Sequence, residues 1–478
     1  MNSIRKILRN TFMLLLQNVF TGAISFITVA VIARRLSVDE YGVFSFARSF
    51  PLLFLVMSDM GIEFLLIREV AVGHERVRDY IGKLLPLKLT LTFIAVICAA
   101  TVTLFAVSDA EVRYATLILV CYTFLRSMMT FMLSVFRGLE KMEYVSIAGI
   151  IEFALAFLMI YFLLKPGGSA GFVSVLYLAS MSCALIMTAV FLIRNTGLPK
   201  PAIDMKLWKT TLIMSWPLAL NSLSVLLNNN VDIVMIKYFH NREQVGLYAA
   251  CVPIAGIVCY FQNAFAASVY PVISRIYENE KSALAMSFNK CIKMITITSV
   301  PVCLGGAMLA KKILITAFGA KYEQGAIVLA ILCGAAFFSS YAAFFSSFAT
   351  SIHEQKKYGL IYASCTVLNI ILNLFLIPRW GITGAAIATI LSNAALIISV
   401  TTCVFQPFLE FRFKTGMLKI FMSVVIMAIF ICSIYNLHIG IIIPIGGIAY
   451  CAGIIGTKTL TKQEIDIIKK MLMVKNRN

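Results

Sequence analysis

The sequence predicts an all-α polytopic membrane protein of about 14 transmembrane helices, and three observations predict it. Apolar stretches of roughly 17 to 30 residues follow one another from Thr11 to Gly456, and a bilayer core takes about 20 apolar residues to cross as a helix. Of the 478 residues, 60% are hydrophobic and only 13% charged, well below the share in soluble domains. The mean hydropathy is +0.91. Lipid is the solvent of such a chain, so its work is done across or within a membrane.

The spans read in order as 11–33, 41–62, 84–107, 112–136, 143–164, 170–193, 210–238, 246–273, 286–310, 325–350, 358–377, 382–405, 417–437 and 439–456. Arg5, Lys6 and Arg9 precede the first. Its apolar part exceeds the 7–15 residues or so of a signal-peptide core, which predicts a retained helix. The longest connection, Arg68 to Lys83, is partly amphipathic, and no stretch suits a soluble domain.

The net charge of +19 comes from 41 Lys and Arg against 22 Asp and Glu. Placing the N-terminus in the cytoplasm and alternating sides puts about 29 of these cations on the cytoplasmic face, the positive-inside bias. The clusters are Arg68/Arg76/Arg78/Lys83, Lys200/Lys206/Lys209, Lys290/Lys293 and the tail from Lys458 to Arg477. That placement predicts cytoplasmic N- and C-termini, an even number of spans and contact with anionic membrane lipids, not nucleic acid.

The 12 cysteines lie almost wholly inside the spans, with no CxxC or Cys/His cluster, so neither a metal site nor a disulfide framework is expected. Gly453-Ile454-Ile455-Gly456-Thr457-Lys458 lacks P-loop spacing. No Ser/His/Asp arrangement stands out either. The sequence thus offers no catalytic residues and no cofactor, and a non-enzymatic membrane function is expected.

An internal repeat divides the chain. Glu40-Tyr41-Gly42-Val43-Phe44 before span 2 parallels Gln244-Val245-Gly246-Leu247-Tyr248 before span 8. Lys141-Met142-Glu143-Tyr144 parallels Gln355-Lys356-Lys357-Tyr358, and Gly168-Ser169-Ala170-Gly171 parallels Gly381-Ile382-Thr383-Gly384. Three matches in one order at nearly one separation predict two six-helix bundles, 1–200 and 201–410, with 411–478 adding helices 13–14 and a cytoplasmic tail. Transporters built this way keep their substrate site in the cleft between bundles.

These segments resemble the polysaccharide flippases of the Wzx type, in the multidrug/oligosaccharidyl-lipid/polysaccharide exporter superfamily. The resemblance covers most of the chain. It includes Arg35-Leu36-Ser37-Val38-Asp39-Glu40-Tyr41-Gly42, Ser58-Asp59-Met60-Gly61-Ile62, Phe136-Arg137-Gly138-Leu139-Glu140, Trp216-Pro217-Leu218 with Asp232, and Trp380-Gly381-Ile382-Thr383-Gly384. It implies movement of an undecaprenyl-pyrophosphate-linked oligosaccharide from the cytoplasmic to the outer leaflet of a bacterial inner membrane, without an ATPase. A polysaccharide polymerase or chain-length protein is then a candidate partner. The alternative is a cation-coupled multidrug or metabolite exporter of the same superfamily.

A charged group at a helix centre costs about 2.5–3.5 kcal/mol on insertion scales, so those inside spans are the candidates for function. Arg48 lies about seven residues, roughly 10 Å, into span 2. If span 2 lines the cleft, as the resemblance implies, Arg48 can hold a phosphate; a partner carboxylate is the other reading. Arg126 and Glu152 stand nearly equally far from the turn near Glu140, so a hairpin brings them to one depth. A static ion pair and a substrate site are both open there. In span 7, Asn228 and Asp232 share a face, being four residues apart, and with Asn221, Asn229 and Asn230 suggest a cavity wall. Pro217 is expected to bend that helix and act as a gate.

Overall fold

The computed structural model describes residues 2–73, 77–408 and 413–459, and among these it is helical with no strand. Arg76 and the basic tail beyond Thr459 lie outside the described residues, as do the side chains of Arg5, Lys6, Arg9 and Pro217. The chain divides into two compact units.

The first unit runs through Ala250 and takes in Ala317–Tyr322 and Thr366–Ala385. Its helices are α1 (Asn2–Arg35), α2 (Val38–Ser49), α3 (Leu55–Asp59), α4 (Ile62–Ala71), α5 (Val77–Ala106), α6 (Ala110–Gly138), α7 (Met142–Leu163), α8 (Ala170–Thr196), α9 (Met205–Phe239) and the first part of α10 (Arg242–Ala255). Side-chain oxygens start several of them by taking up otherwise unpaired N–H groups. Ser37 accepts from Glu40 N at 3.1 Å, Ser169 from Phe172 N at 3.3 Å, and Asp204 from Leu207 N at 3.1 Å. α2 and α3 form one candidate span, Val38–Asp59. Between them a 3-10 turn begins at Pro51, which has no N–H to continue the α ladder.

α6 is central: 61% of its apolar window is buried, against 22% for α5. Thr116, Thr123 and Ser134 keep hydroxyls out of lipid by donating to carbonyls one turn back, at 2.6, 2.8 and 2.9 Å. Small residues let backbones approach where lipid offers no hydrophobic drive between helices. The repeat glycines show this most sharply. A Cβ on Gly42 would stand 1.9 Å from the Arg242 carbonyl oxygen, and one on Gly246 would stand 2.2 Å from that of Val38.

The second unit comprises Cys251–Thr316, Glu323–Cys365 and the chain from Ala386 onward. It holds α11 (Ile257–Asn279), α12 (Leu284–Met308), most of α13 (Ala310–Phe318), α14 (Ala326–Ser351), the ends of α15 (Gln355–Cys403), α16 (Phe413–Ser433) and α17 (Ile439–Gly456). Its core is aromatic: Phe288, fully buried, meets Phe348 at 4.9 Å and Phe405 at 5.2 Å between ring centroids. α16 and α17 pack on each other through Gly453, whose Cβ would lie 2.9 Å from the Ser423 Cα.

Among the described residues, 11 helices are long and apolar enough to cross a membrane, or 12 if the bent pair in α9 is one span. Fourteen were expected. α15 accounts for part of the difference: its 49 residues would extend about 73 Å, far beyond a hydrocarbon core of about 30 Å. It is two helices joined at Gly381, whose backbone (φ 56°, ψ −137°) is not helical. The apolar helix Leu418–Ser433 falls short of the required length. In α9, Met205–Trp216 and Ala219–Phe239 meet at 54°, with Pro217 at the break.

Candidate functional site

A cavity of about 560 Å³ opens within the first unit. α3 and the turn after it supply Asp59, Met60 and Gly61; α4 supplies Glu63; α6 supplies Thr123, Arg126, Ser127 and Thr130; α9 supplies Asn221 and Ser222. Its wall thus carries two carboxyl groups, one guanidinium and a set of neutral hydrogen-bonding groups, among apolar side chains such as Leu52 and Val225.

Arg126 Nε stands 3.6 Å from Glu152 Oε1, joining α6 to α7. The Arg126 side chain is 40% exposed and that of Glu152 only 9%, so the cation reaches the open space and the anion stays behind it. Tyr122 donates to the same carboxylate oxygen at 3.3 Å, and the Phe153 ring lies 5.8 Å from the guanidinium carbon. The Tyr122 ring meets Tyr177 edge-on at 5.7 Å. Arg48, which does not line the cavity, sits over the face of Tyr177 at 5.8 Å. The two arginines singled out in the sequence are therefore linked through two tyrosines and Glu152.

Asp59 is held by Lys88 Nζ at 3.1 Å, and the Lys88 side chain is fully buried. Burying an ammonium group is tolerable only with such a partner. Below it, Ser58 Oγ bonds Thr92 and Ser127 hydroxyls at 3.0 and 2.9 Å. Glu63 lies past the end of the span Val38–Asp59. Burial and the adjacent Asp59 carboxylate push its carboxyl up to about 8, against the opposing pull of Lys88 and Arg137.

Asp232 and Asn228 take no part in this cavity. Asp232 is buried in a second polar cluster, accepting from Tyr248 of α10 and from Asn373 of α15, each at 2.7 Å. Asn373 Nδ2 also donates to Asn369 at 3.0 Å, while its own buried carbonyl oxygen has no partner. Asn228 is half-buried one turn away. Of the span 7 asparagines, only Asn221 faces the cavity. Sequence reasoning passed over Glu63, Lys88, Tyr122 and Tyr177. Lys88 carried a readable signal, a cation inside an apolar run; the tyrosines carried none, because only packing tells a buried hydroxyl from an interfacial one.

The architecture is that of a polytopic membrane protein with a polar cavity, and comparison with known proteins gives its class and family. A family model described as polysaccharide biosynthesis protein matches residues 7–277, and a second, MatE, matches residues 217–375. The chain belongs to the polysaccharide biosynthesis protein family, a flippase branch of the multidrug/oligosaccharidyl-lipid/polysaccharide superfamily. It is 23% identical over 394 residues to the probable low-salt glycan biosynthesis flippase Agl15 of Haloferax volcanii, covering 81% of each chain. It is also 23% identical over 199 residues to the capsular polysaccharide biosynthesis protein CapF of Staphylococcus aureus, covering 40% of this chain and 49% of that one. Among solved structures, lipid II flippase MurJ in an inward closed conformation matches with a TM-score of 0.71 at 16% identity, over 92% of this chain and 97% of that one. An inward-facing multidrug transporter of the MATE family matches at 0.60 and 15%, over 82% and 93%. The protein is a multi-pass membrane transporter and not an enzyme.

Proposed function

We propose that the protein moves an undecaprenyl-pyrophosphate-linked oligosaccharide from the cytoplasmic to the outer leaflet for cell-surface polysaccharide synthesis, by alternating access. The observation that carries this reading is Arg126, a guanidinium open to a cavity and paired at 3.6 Å with a carboxylate set behind it. A lipid-linked sugar has an anionic head that cannot cross hydrocarbon and a tail that never has to leave it. Arginine suits that head because its planar fork matches phosphate oxygens and it keeps its charge when desolvated. A phosphate arriving at Arg126 competes directly with Glu152. Agl15 and CapF, by the names they carry, support a glycan as the rest of the cargo.

The same proposal includes fourteen spans with both termini cytoplasmic, two six-helix bundles over 1–200 and 201–410, residence in a bacterial inner membrane, and a polymerase as neighbour. Arg48, Asn228 and Asp232 lie outside the cavity around Arg126 and enter the proposal as cargo contacts at another stage of the passage, with Pro217 as a gate. The test is reconstitution in vesicles with a fluorescent undecaprenyl-pyrophosphate oligosaccharide and an impermeant quencher. The protein should make inner-leaflet label quenchable without ATP; a rate equal to that of protein-free vesicles overturns the reading.

The MatE match over residues 217–375 and the carboxyl pair Asp59/Glu63 in the cavity favour a second reading, a cation-coupled exporter. It predicts that deletion lowers resistance to cationic dyes and leaves surface polysaccharide intact.

A further inference from the structure

Tyr122 and Arg126 stand four residues apart on α6, so both reach a neighbour from one face of the helix. That neighbour is Glu152 of α7, and both address the same oxygen. Arg126 Nε lies 3.6 Å from Oε1, and the Tyr122 hydroxyl donates to Oε1 at 3.3 Å. Tyr122 and Glu152 are buried, with the Tyr177 ring edge-on against that of Tyr122, whereas the Arg126 side chain is 40% exposed. The three groups therefore differ in freedom. The guanidinium can turn to the cavity, while the tyrosine and the carboxylate stay where they are.

An anion that takes Arg126 must take it from Glu152. A carboxylate left buried without a partner is among the costlier arrangements in a protein, and that cost would be subtracted from the affinity for the anion. Tyr122 offsets it. At 3.3 Å its bond is long for O–H···O, as suits an oxygen shared with a guanidinium. Once Arg126 has turned away, the hydroxyl can close to the roughly 2.5–2.7 Å typical of a bond to a carboxylate charge. Such bonds are about twice as strong as neutral ones, so this one tightens as the ion pair opens. Arg126 has less to lose. It also hydrogen-bonds Tyr122, but its exposed head exchanges that contact for phosphate oxygens or water.

We propose that Tyr122 is a positioning residue for the anionic head: it holds the Glu152 carboxylate while Arg126 exchanges that carboxylate for a phosphate, and so sets how readily the arginine is released. Tyr122 acts through Glu152 and does not touch the cargo. No proton moves; the tyrosine keeps its hydrogen and the carboxylate its charge. Packing against Tyr177 needs only the ring, and the hydroxyl serves Glu152. This inference rests on the anionic cargo proposed above and deepens it by assigning a residue that tunes the strength of the Arg126 contact.

The test uses the purified full-length protein in nanodiscs, with farnesyl pyrophosphate as the probe and its affinity read by calorimetry. Tyr122→Phe keeps the ring and removes the donor, and it should bind the probe about tenfold more weakly than the wild type. In Glu152→Gln, which has no carboxylate charge to support, adding Tyr122→Phe should change the affinity by less than about twofold. A tyrosine that serves only packing would weaken binding equally in both backgrounds. That result overturns the inference, as does equal affinity of Tyr122→Phe and the wild type, and both leave the cargo reading standing. No binding by the wild type, or binding that Arg126→Met does not weaken, overturns the cargo reading and the inference with it. Should Tyr122→Phe not fold, 3-fluorotyrosine placed at position 122 reports on the same bond. Its fluorine resonance must move when the probe binds, and an unchanged resonance overturns the proposal.

Discussion

Glu152 decides what Arg126 can do. Its carboxylate has two partners, Arg126 at 3.6 Å and Tyr122 at 3.3 Å, and almost no exposure. Arg126→Met leaves that charge buried, a change that costs about 3–5 kcal/mol where the pair is fully buried and less here, because the arginine is part-exposed. Glu152→Gln should cost less still, since the freed guanidinium can turn to the cavity. The double variant should recover most of the melting temperature in nanodiscs. Its export should stay low if Arg126 holds the head, and normal export would reduce the pair to scaffold. Arg48→Ala should behave differently, because the guanidinium's recorded contact is the face of Tyr177. Protein abundance should stay near normal while export falls, and equal export by Arg48→Ala and Arg48→Lys would remove its assigned contact with phosphate. For Glu63 the pH sign is fixed by its raised folded-state affinity for the proton, at about 8 against 4.5. Its neutral form is the one the fold accepts, so the stability it contributes is complete in acid and is lost as pH rises through about 8. The wild type should therefore lose more melting temperature between about pH 4.5 and about 8 than Glu63→Gln, with little further difference above that, as differential scanning fluorimetry would register.

Hairpin geometry made one site legible from sequence at the scale of helices. Counting equal lengths from a turn near Glu140 places Arg126 and Glu152 at one depth, and the structure puts the turn there, with Glu140 at φ 56°. The Asp59–Glu63–Lys88 group was not legible in this way. It needs α3, α4 and α5 brought together by a break at Met60–Gly61, whereas the sequence reading ended span 2 at residue 62, before Glu63. Span 2 likewise read as uninterrupted, although Pro51 opens a 3-10 turn within it. The repeat glycines were legible as a pattern and illegible as a contact: only the fold shows Gly42 and Gly246 against each other's helix starts. Arg242 reinforces that junction, its Nε donating to Asp109 at 2.7 Å. Burial alone would raise the Asp109 carboxyl, but the Arg242 and Val112 hydrogen bonds outweigh it and hold it below the usual range. Gly42→Ala places a methyl group against a backbone oxygen that no side-chain rotation can clear, so the helices must part, at about 1–3 kcal/mol or more. Gly359→Ala, which meets nothing within 4 Å, should leave stability unchanged or raise it by up to about 1 kcal/mol. Equal melting temperatures for the two variants would show that the close approach does not bear on stability.

Hydropathy reads the class of the whole molecule because every backbone group in lipid must be satisfied within its own helix. It reads the number of crossings less well, since length and apolarity do not tell a straight helix from a bent or joined one. α9 is the decisive case. Its halves meet at 54°, which suits either one broken span or a segment that enters and returns. Ser108 precedes α6 and Lys356 opens α15, and both are exposed. Between them lie six helices long enough to span, plus the α9 pair. If α9 crosses, seven passages separate the two positions and they face opposite sides of the membrane; if α9 returns, six passages leave them on the same side. The positive-inside bias assigns the sides as well, with Ser108 outside and Lys356 in the cytoplasm. Single cysteines at these positions, in a protein whose 12 native cysteines are replaced, can be probed with an impermeant maleimide. Ser108→Cys should react in intact cells and Lys356→Cys only after lysis. Reaction of both in intact cells, or of neither, would make α9 a re-entrant segment and remove one crossing from the chain; the reverse pattern would keep the crossing and invert the protein, taking the cytoplasmic entry proposed for the cargo with it.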